Sequence, residues 1–352
     1  MGAPNEPRGG SAPPEPPHGS APAYGIGIRE CGLKKQSGVK EVVHGVPQGS
    51  KLGPLLFILY INDLSQVIQY CKIHMFADDT LIYFAGTSEQ EVVTRVNDEL
   101  RIVNQWLSSN SLSVNVAKTK CMVMGRSGFI ERVESSHSVS LMGSALDWVT
   151  KFKYFGVIID NRLCFKEHAE YVNGKMAKKI NILCKLRKIL SKGAKGQLFK
   201  SIIVPHLRYC FTVLIMVNKS YIEKLQVTFN EGLRAVLKKR RSERVSDMLQ
   251  EIGYLMVGRE VERDVLTFIY RLENGLLPSY LNQLVMKNCD VHQYLTKQAS
   301  NFHIGRSVRA KRTVNNGVVM YNALPREVRD STNVGQFRER VALWLRNLES
   351  RA

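Results

Sequence analysis

The chain has 352 residues, 44% of them hydrophobic and 8% aromatic, enough to bury one large core or two smaller ones and too evenly mixed for a fibrous protein. Seven scattered cysteines with no Cys-x-x-Cys exclude a disulfide framework or a cysteine zinc cluster and point to a reducing compartment. Residues 1–160 carry 15 basic and 15 acidic side chains and residues 161–352 carry 35 and 16, so the whole net charge of +19 lies in the second part. A neutral half followed by a basic half fits one part that holds a metal and another that grips a phosphate backbone; a generic solubilising surface is the plainer alternative.

Residues 1–23 are rich in Pro, Gly, Ala and Ser and read as a disordered tail. The start lacks a basic n-region and an apolar h-region, and Glu6 stands where a myristoylation signal wants Ser or Thr. Residues 32–44 form a polar lead into Gly45-Val46-Pro47-Gln48-Gly49-Ser50. Pro47 fixes one backbone angle while Gly45 and Gly49 permit close approach, which suits a rigid loop against a flat partner such as a base pair, or an ordinary turn before a buried helix. The longest apolar run, around Leu55 to Ile61, is too short for a bilayer, so a soluble intracellular protein of nucleus or cytoplasm is expected.

Residues 73–84 place two apolar, β-branched and aromatic arms around Asp78 and Asp79, the pattern of a hairpin with both acids at its tip. Two carboxylates at one point suit magnesium or manganese, and paired ions of that type catalyse displacement at phosphorus. Aspartates that bond to their own turn backbone are the bland alternative. Ser88-x-x-Glu91 then opens a helix whose apolar face runs through Val92, Val96, Leu100, Val103 and Leu107, expected to pack beneath the sheet. Residues 112–124 supply a loop and a strand with Lys118 and Lys120. Residues 125–138 read as a polar loop, and a hairpin over 139–149 follows, turning at residues 142–144. Lys153 to Asp160 forms another strand pair around Gly156.

From Phe165 the period becomes helical. Val172, Met176, Ile180, Leu183 and Leu190 line one face, and Lys175, Lys178, Lys179, Lys185, Arg187, Lys188, Lys192 and Lys195 crowd the others. Helices are also expected over residues 196–209, 221–237 and 261–274, the second running into Lys238-Lys239-Arg240-Arg241. Cys289-x-x-His292 with His303 invites a zinc reading, but without a second cysteine pair ordinary loop residues are preferred; Cys71-x-x-His74 is weaker still.

Four ordered blocks carry a resemblance: residues 45–57, Phe76-Ala77-Asp78-Asp79, residues 112–120, and Phe152-Lys153-Tyr154-Phe155-Gly156-Val157-Ile158-Ile159-Asp160. Together they resemble the reverse transcriptase of a non-LTR retrotransposon (a long interspersed element, jockey-like), over about residue 30 to the C-terminus. The resemblance implies an RNA-directed DNA polymerase using Mg2+ or Mn2+, with Asp78 and Asp79 as catalytic metal ligands. It implies template and nucleotide contacts at Pro47, Gln48, Gly49 and Lys118, and a primer grip at Tyr154, Phe155 and Gly156, where Phe155 replaces the more common Leu. RNA template, DNA primer and deoxynucleoside triphosphates are the implied partners, with no membrane.

The expected fold is α+β: a disordered tail over 1–23, a partial palm over 24–160 (a mixed sheet backed by helices), and an all-helical basic thumb and C-terminal region over 161–352. Strings at residues 204–210, 275–281 and 321–325 resemble the region that follows the polymerase in such elements. Relatives carry a further upstream aspartate on a strand, for which the only acids before Gly45 are Glu6, Glu15, Glu30 and Glu41, none in an apolar strand pattern. The expectation is a catalytically deficient fragment whose sheet presents an open apolar edge, leading to poor solubility, a swapped dimer, or filling of that edge by residues 32–44. The alternatives are a non-catalytic nucleic-acid-binding relic and a host-recruited interaction module.

Overall fold

The computed structural model describes residues 49, 51–291, 301–303 and 312–349. The chain divides into two compact units, residues 1–83 and 84–352.

In the first unit, Pro54 at the first turn starts α1 (Gly53–Ile61), where its missing N–H costs nothing. The hairpin pairs β1 (Lys72–Phe76) antiparallel with β2 (Asp79–Tyr83). Leu55, Leu56, Ile58, Leu59 and Tyr60 of α1 are exposed rather than buried, with Gly53 and Ile61 the helix's buried residues.

In the second unit, Ser88 caps α2 (Glu89–Ser109), its hydroxyl accepting from the Glu91 amide at 3.2 Å, one half of a capping box, while the Glu91 carboxylate accepts the preceding Thr87 amide at 3.3 Å. β3 (Lys120–Cys121) follows. Residues 127–136, expected as loop, form α3 (Ser127–Ser136) because Ile130 and Val133 recur at helical spacing and are buried, while Arg132 pairs with Glu89 of α2. β4 (Ser140–Leu141) and β5 (Ser144–Ala145) turn at Met142-Gly143, both with positive φ. β6 (Asp147–Trp148) pairs parallel with β3, and β7 (Lys151–Tyr154) pairs antiparallel with β8 (Val157–Asp160). The single mixed sheet expected from the sequence is thus four separate two-stranded ribbons among the described residues, within a fold that is α+β.

The rest is helical: α4 (Lys166–Lys185), α5 (Lys192–Leu198), α6 (Val204–Arg208), α7 (Phe211–Leu214), α8 (Lys219–Leu237), α9 (Val245–Ile252), α10 (Val257–Glu273), α11 (Asn288–Val291), α12 (Arg312–Asn322), α13 (Arg326–Arg329) and α14 (Val334–Glu349). The helix expected over 196–209 is interrupted by a π turn at Phe199–Ile203, immediately before Pro205 removes a backbone donor.

Two cores result. Val172, Met176, Ile180 and Leu183 of α4 interlock with Leu225, Phe229 and Leu233 of α8. Gly232 is required there, since a Cβ would stand 2.6 Å from the Phe199 ring. The second core gathers Leu266, Ile269 and Tyr270 of α10 with Tyr321 of α12 and Phe337, Val341 and Leu345 of α14. Lys195, expected on the basic face that follows a nucleic-acid backbone, is instead fully buried; its ammonium donates to the Ala235 carbonyl at 3.5 Å, in the last turn of α8 where the dipole is negative.

Candidate active site and the β7–β8 turn

The hairpin register sets Phe76 opposite Asp79, leaving Ala77-Asp78 as a two-residue turn. Ala77 has φ +50°, a left-handed conformation that costs an alanine about 1–2 kcal/mol. Such strain concentrates at functional turns. Strand alternation puts Asp79 on the face of Phe76, His74, Leu81 and Tyr83, while Ile73, Met75 and Ile82 are the half-buried side. Both carboxylates are exposed, and neither has a hydrogen-bond or ion-pair partner among the described residues. Hard oxygen donors without a competing cation fit a divalent metal in kind. Among the described residues, however, no group of three or more His, Cys, Asp or Glu could hold one.

Gly49 is exposed with φ +83°, a conformation glycine alone adopts without cost. Pro47 and Gln48 lie outside the described residues. Lys118 is exposed and closes a 3-10 turn whose Asn115 side chain accepts its amide at 3.1 Å. Lys120, by contrast, is tied to Asp147 across the β3–β6 pair at 2.5 Å. Of the zinc candidates, Cys289 is exposed and His292 lies outside the described residues. Cys71 is buried, and His74 stacks on Tyr83 at 5.6 Å between ring centroids.

Tyr154, Phe155 and Gly156 come together at the turn between β7 and β8. Phe155 (φ +45°) and Gly156 (φ +79°) are both left-handed, as a two-residue hairpin turn requires, although a phenylalanine pays for it. The strain is held from outside. The Tyr209 hydroxyl donates to the Phe155 carbonyl, and its ring lies 3.4 Å from where a Gly156 Cβ would be, an ordinary contact, so the left-handed φ rather than a clash is what favours glycine there. Lys153 donates to the Tyr171 hydroxyl at 3.1 Å, and Lys153 and Lys175 lie 4.8 and 5.4 Å from the Tyr171 ring centroid. The hydrogen bond from Lys153, with both ammonium charges, holds the Tyr171 phenol below its usual range.

Behind this turn lies a cavity of about 220 Å3 lined by Phe155, Gly156, Tyr171, Lys175, His206 and His168. The buried His168 accepts the Ile158 amide at Nδ1 (3.3 Å), so its proton sits on Nε2, which has no partner. Burial pushes the imidazole below its ordinary 6.5. The unfolded chain therefore takes up a proton that the folded one refuses. The stability this contributes is full above about pH 6.5 and falls as acid passes through the lowered folded value. Thermal melts should show the wild type losing more stability between about pH 7 and 5 than His168→Asn, which keeps an acceptor and cannot titrate; parallel profiles would exclude the imidazole as the cause.

Sequence reasoning missed Tyr171, Tyr209 and His168. The i, i+3 spacing of His168 and Tyr171 on one face of α4 was the available signal.

The family profile "Reverse transcriptase (RNA-dependent DNA polymerase)" matches residues 24–159, which include the hairpin acids and the β7–β8 turn. An RNA-directed DNA polymerase from mobile element jockey of Drosophila melanogaster is 25% identical over 76% of this chain and 30% of its own length. One from transposon X-element of the same fly is 27% identical over 55% of the chain and 22% of its length. A Pol polyprotein from type-1 retrotransposable element R1 2 of Nasonia vitripennis is 28% identical over 47% of the chain and 42% of its length. Residues 24–159 are thus similar to the reverse-transcriptase family. The chain is related to the reverse transcriptases of non-LTR retrotransposons of the jockey and R1 kinds, and it spans under a third of the length of the jockey polymerase. Among the described residues no helix is long and apolar enough to cross a membrane.

Proposed function

We propose that the chain is the palm (residues 24–160) and helical basic thumb (residues 161–352) of an RNA-directed DNA polymerase, acting on an RNA template, a DNA primer and deoxynucleoside triphosphates in nucleus or cytoplasm. The observation that carries this is the coincidence of the family match with two unpartnered acids on a strained turn. Asp78 and Asp79 would hold Mg2+ or Mn2+, which when bound supplies charge stabilisation for in-line attack on a nucleotide phosphorus. Residues 47–49 and Lys118 face template and nucleotide, and Tyr154, Phe155 and Gly156 seat the primer end. Tyr209 and Tyr171 act as positioning residues, because they hold the turn that does so.

We propose that the site is deficient in the chemistry, since among the described residues no third acid joins Asp78 and Asp79. Two-metal catalysis needs ligands that place the ions about 3.5–4 Å apart, and the two acids of one hairpin are too few. Primer extension on an oligo(dT)-primed RNA with magnesium or manganese, compared with Asp78→Ala, tests both statements. The expected result is salt-sensitive template binding without extension. Extension that vanishes in Asp78→Ala would establish polymerase activity and overturn the deficiency; absence of template binding would overturn the assignment of partners.

The second reading is a non-catalytic nucleic-acid-binding relic or host-recruited module, favoured by the confinement of the net charge to residues 161–352. The hairpin has no third strand among the described residues and Phe76 is 67% exposed, which favours a swapped dimer through that edge.

A further inference from the structure

The second unit holds an open cleft of about 910 Å3 against α6, α10 and α14, far larger than the cavity at the β7–β8 turn. Arg208, Arg263, Arg271, Arg338 and Arg346 line it, against only Asp264 and Glu339. The acids are partly spent. Asp264 accepts from Arg338 at 2.8 Å and lies 3.9 Å from Arg208, while the buried Glu260 pairs with Arg263 and lies 3.6 Å from Arg208. Even with Glu260 included, five guanidiniums face three carboxylates, a surplus of two positive charges.

A network built only to neutralise itself would not leave that surplus. Nor would it leave donors idle: the Nε of the buried Arg263 has no acceptor, and Arg271 and Arg346 make no ion pair among the described residues. A buried unpartnered donor calls for an acceptor that the protein does not supply. The guanidinium fork matches phosphate oxygens in geometry as well as charge.

The same walls carry Phe211 and Phe268, half-buried rings within the cleft. A duplex keeps its base faces stacked inside and offers a basic surface its backbone and groove edges, so rings in a recess find no base face to stack on. An unpaired strand offers both phosphates and flat faces. We propose that this cleft binds a short single-stranded segment of nucleic acid, its phosphates on Arg271, Arg346 and Arg263 and a base against Phe268. The site uses neither the hairpin acids nor the β7–β8 turn, so it stands or falls apart from polymerase activity.

The test is salt-titrated binding of a fluorescent oligo(U) RNA carrying 4-thiouridine to the full chain, followed by photocrosslink mapping. For single strands each phosphate contact contributes about 0.7 to the slope of log affinity against log salt. Arg271→Ala with Arg346→Ala should therefore lower the slope by about 1.4. Lys72→Ala with Arg126→Ala, the same charge change at exposed positions outside the cleft and outside residues 161–352, should leave it nearly unchanged. Crosslinks should fall on α7, α10 or α14. Equal slope losses from both pairs, crosslinks confined to α4 and the β7–β8 turn, or displacement of the RNA by polyglutamate at equal charge concentration would each overturn the proposal, the last by showing an anion groove indifferent to bases.

Discussion

Asp160→Ala should lower the stability of the second unit by about 3 kcal/mol, at least 1 kcal/mol for each amide left without an acceptor. The Asp160 carboxylate, at the end of β8 and only 9% exposed, accepts from the amides of Arg162 (3.0 Å), Cys164 (3.0 and 2.9 Å) and Phe165 (2.6 Å). It thereby ties down a connection in which Leu163 (φ +52°) and Phe165 (φ +54°) both adopt the left-handed conformation, two bulky residues that would otherwise relax. The melting temperature should fall by roughly 6–12 °C, and Asp160→Asn, which offers one acceptor oxygen in place of two, should lose at least half as much. A loss below about 1 kcal/mol for Asp160→Ala would mean that water replaces the carboxylate and that the connection is not held by it. The consequence reaches the candidate site. This connection launches α4, and α4 brings His168, Tyr171 and Lys175 behind the Phe155-Gly156 turn. Asp160 thus ends the motif that resembles the primer grip, yet its oxygens are committed to the backbone.

What the sequence made legible follows from where its physics is local. The hairpin at residues 72–83, the capping box at Ser88 and the buried face of α4 through Val172, Met176, Ile180 and Leu183 rest on periodicity and caps, which operate within a few residues. Residues 127–136 were misread because their polar composition hides only two buried positions, Ile130 and Val133, and the Arg132–Glu89 pair that helps hold the helix spans distant sequence. Lys195 was misread for a related reason: nothing nearby in the sequence announces that the C-terminal carbonyls of α8 will stand above it. The acids Asp78 and Asp79 were legible as a motif, and the arginine cleft was not, because its members come from α6, α10 and α14 and converge only through tertiary packing.

Glu260→Ala should be the more damaging of two substitutions at the floor of that cleft, costing about 3–5 kcal/mol, since it strips the nearest counter-charge from a buried guanidinium. Glu260 pairs with Arg263 one turn along α10, lies 3.6 Å from Arg208, and accepts the Leu255 amide at 2.9 Å, so its removal also orphans a backbone donor. Arg263→Met should cost less, because Glu260 then retains Arg208 and the Leu255 amide, and methionine fills much of the vacated volume. The double variant Glu260→Ala with Arg263→Met should be more stable than Glu260→Ala alone, since the charge left without a partner is gone; the gain measured in a double-mutant cycle by chemical denaturation is the coupling of the pair. It should not regain wild-type stability, as the Leu255 amide remains unmet. A strictly additive cycle would mean that the two side chains act independently and that Arg263 is solvated from the cleft. Burial pushes the Arg263 guanidinium below its ordinary range, with Glu260 opposing that shift, which accords with a charge that depends on its partner. The pair then has two separable effects: Glu260 determines whether Arg263 can be buried at all, and Arg263 contributes the donor whose Nε is left for a ligand. Arg263→Met should therefore weaken single-strand binding in the cleft at modest cost to the fold, whereas Glu260→Ala should unsettle the fold first.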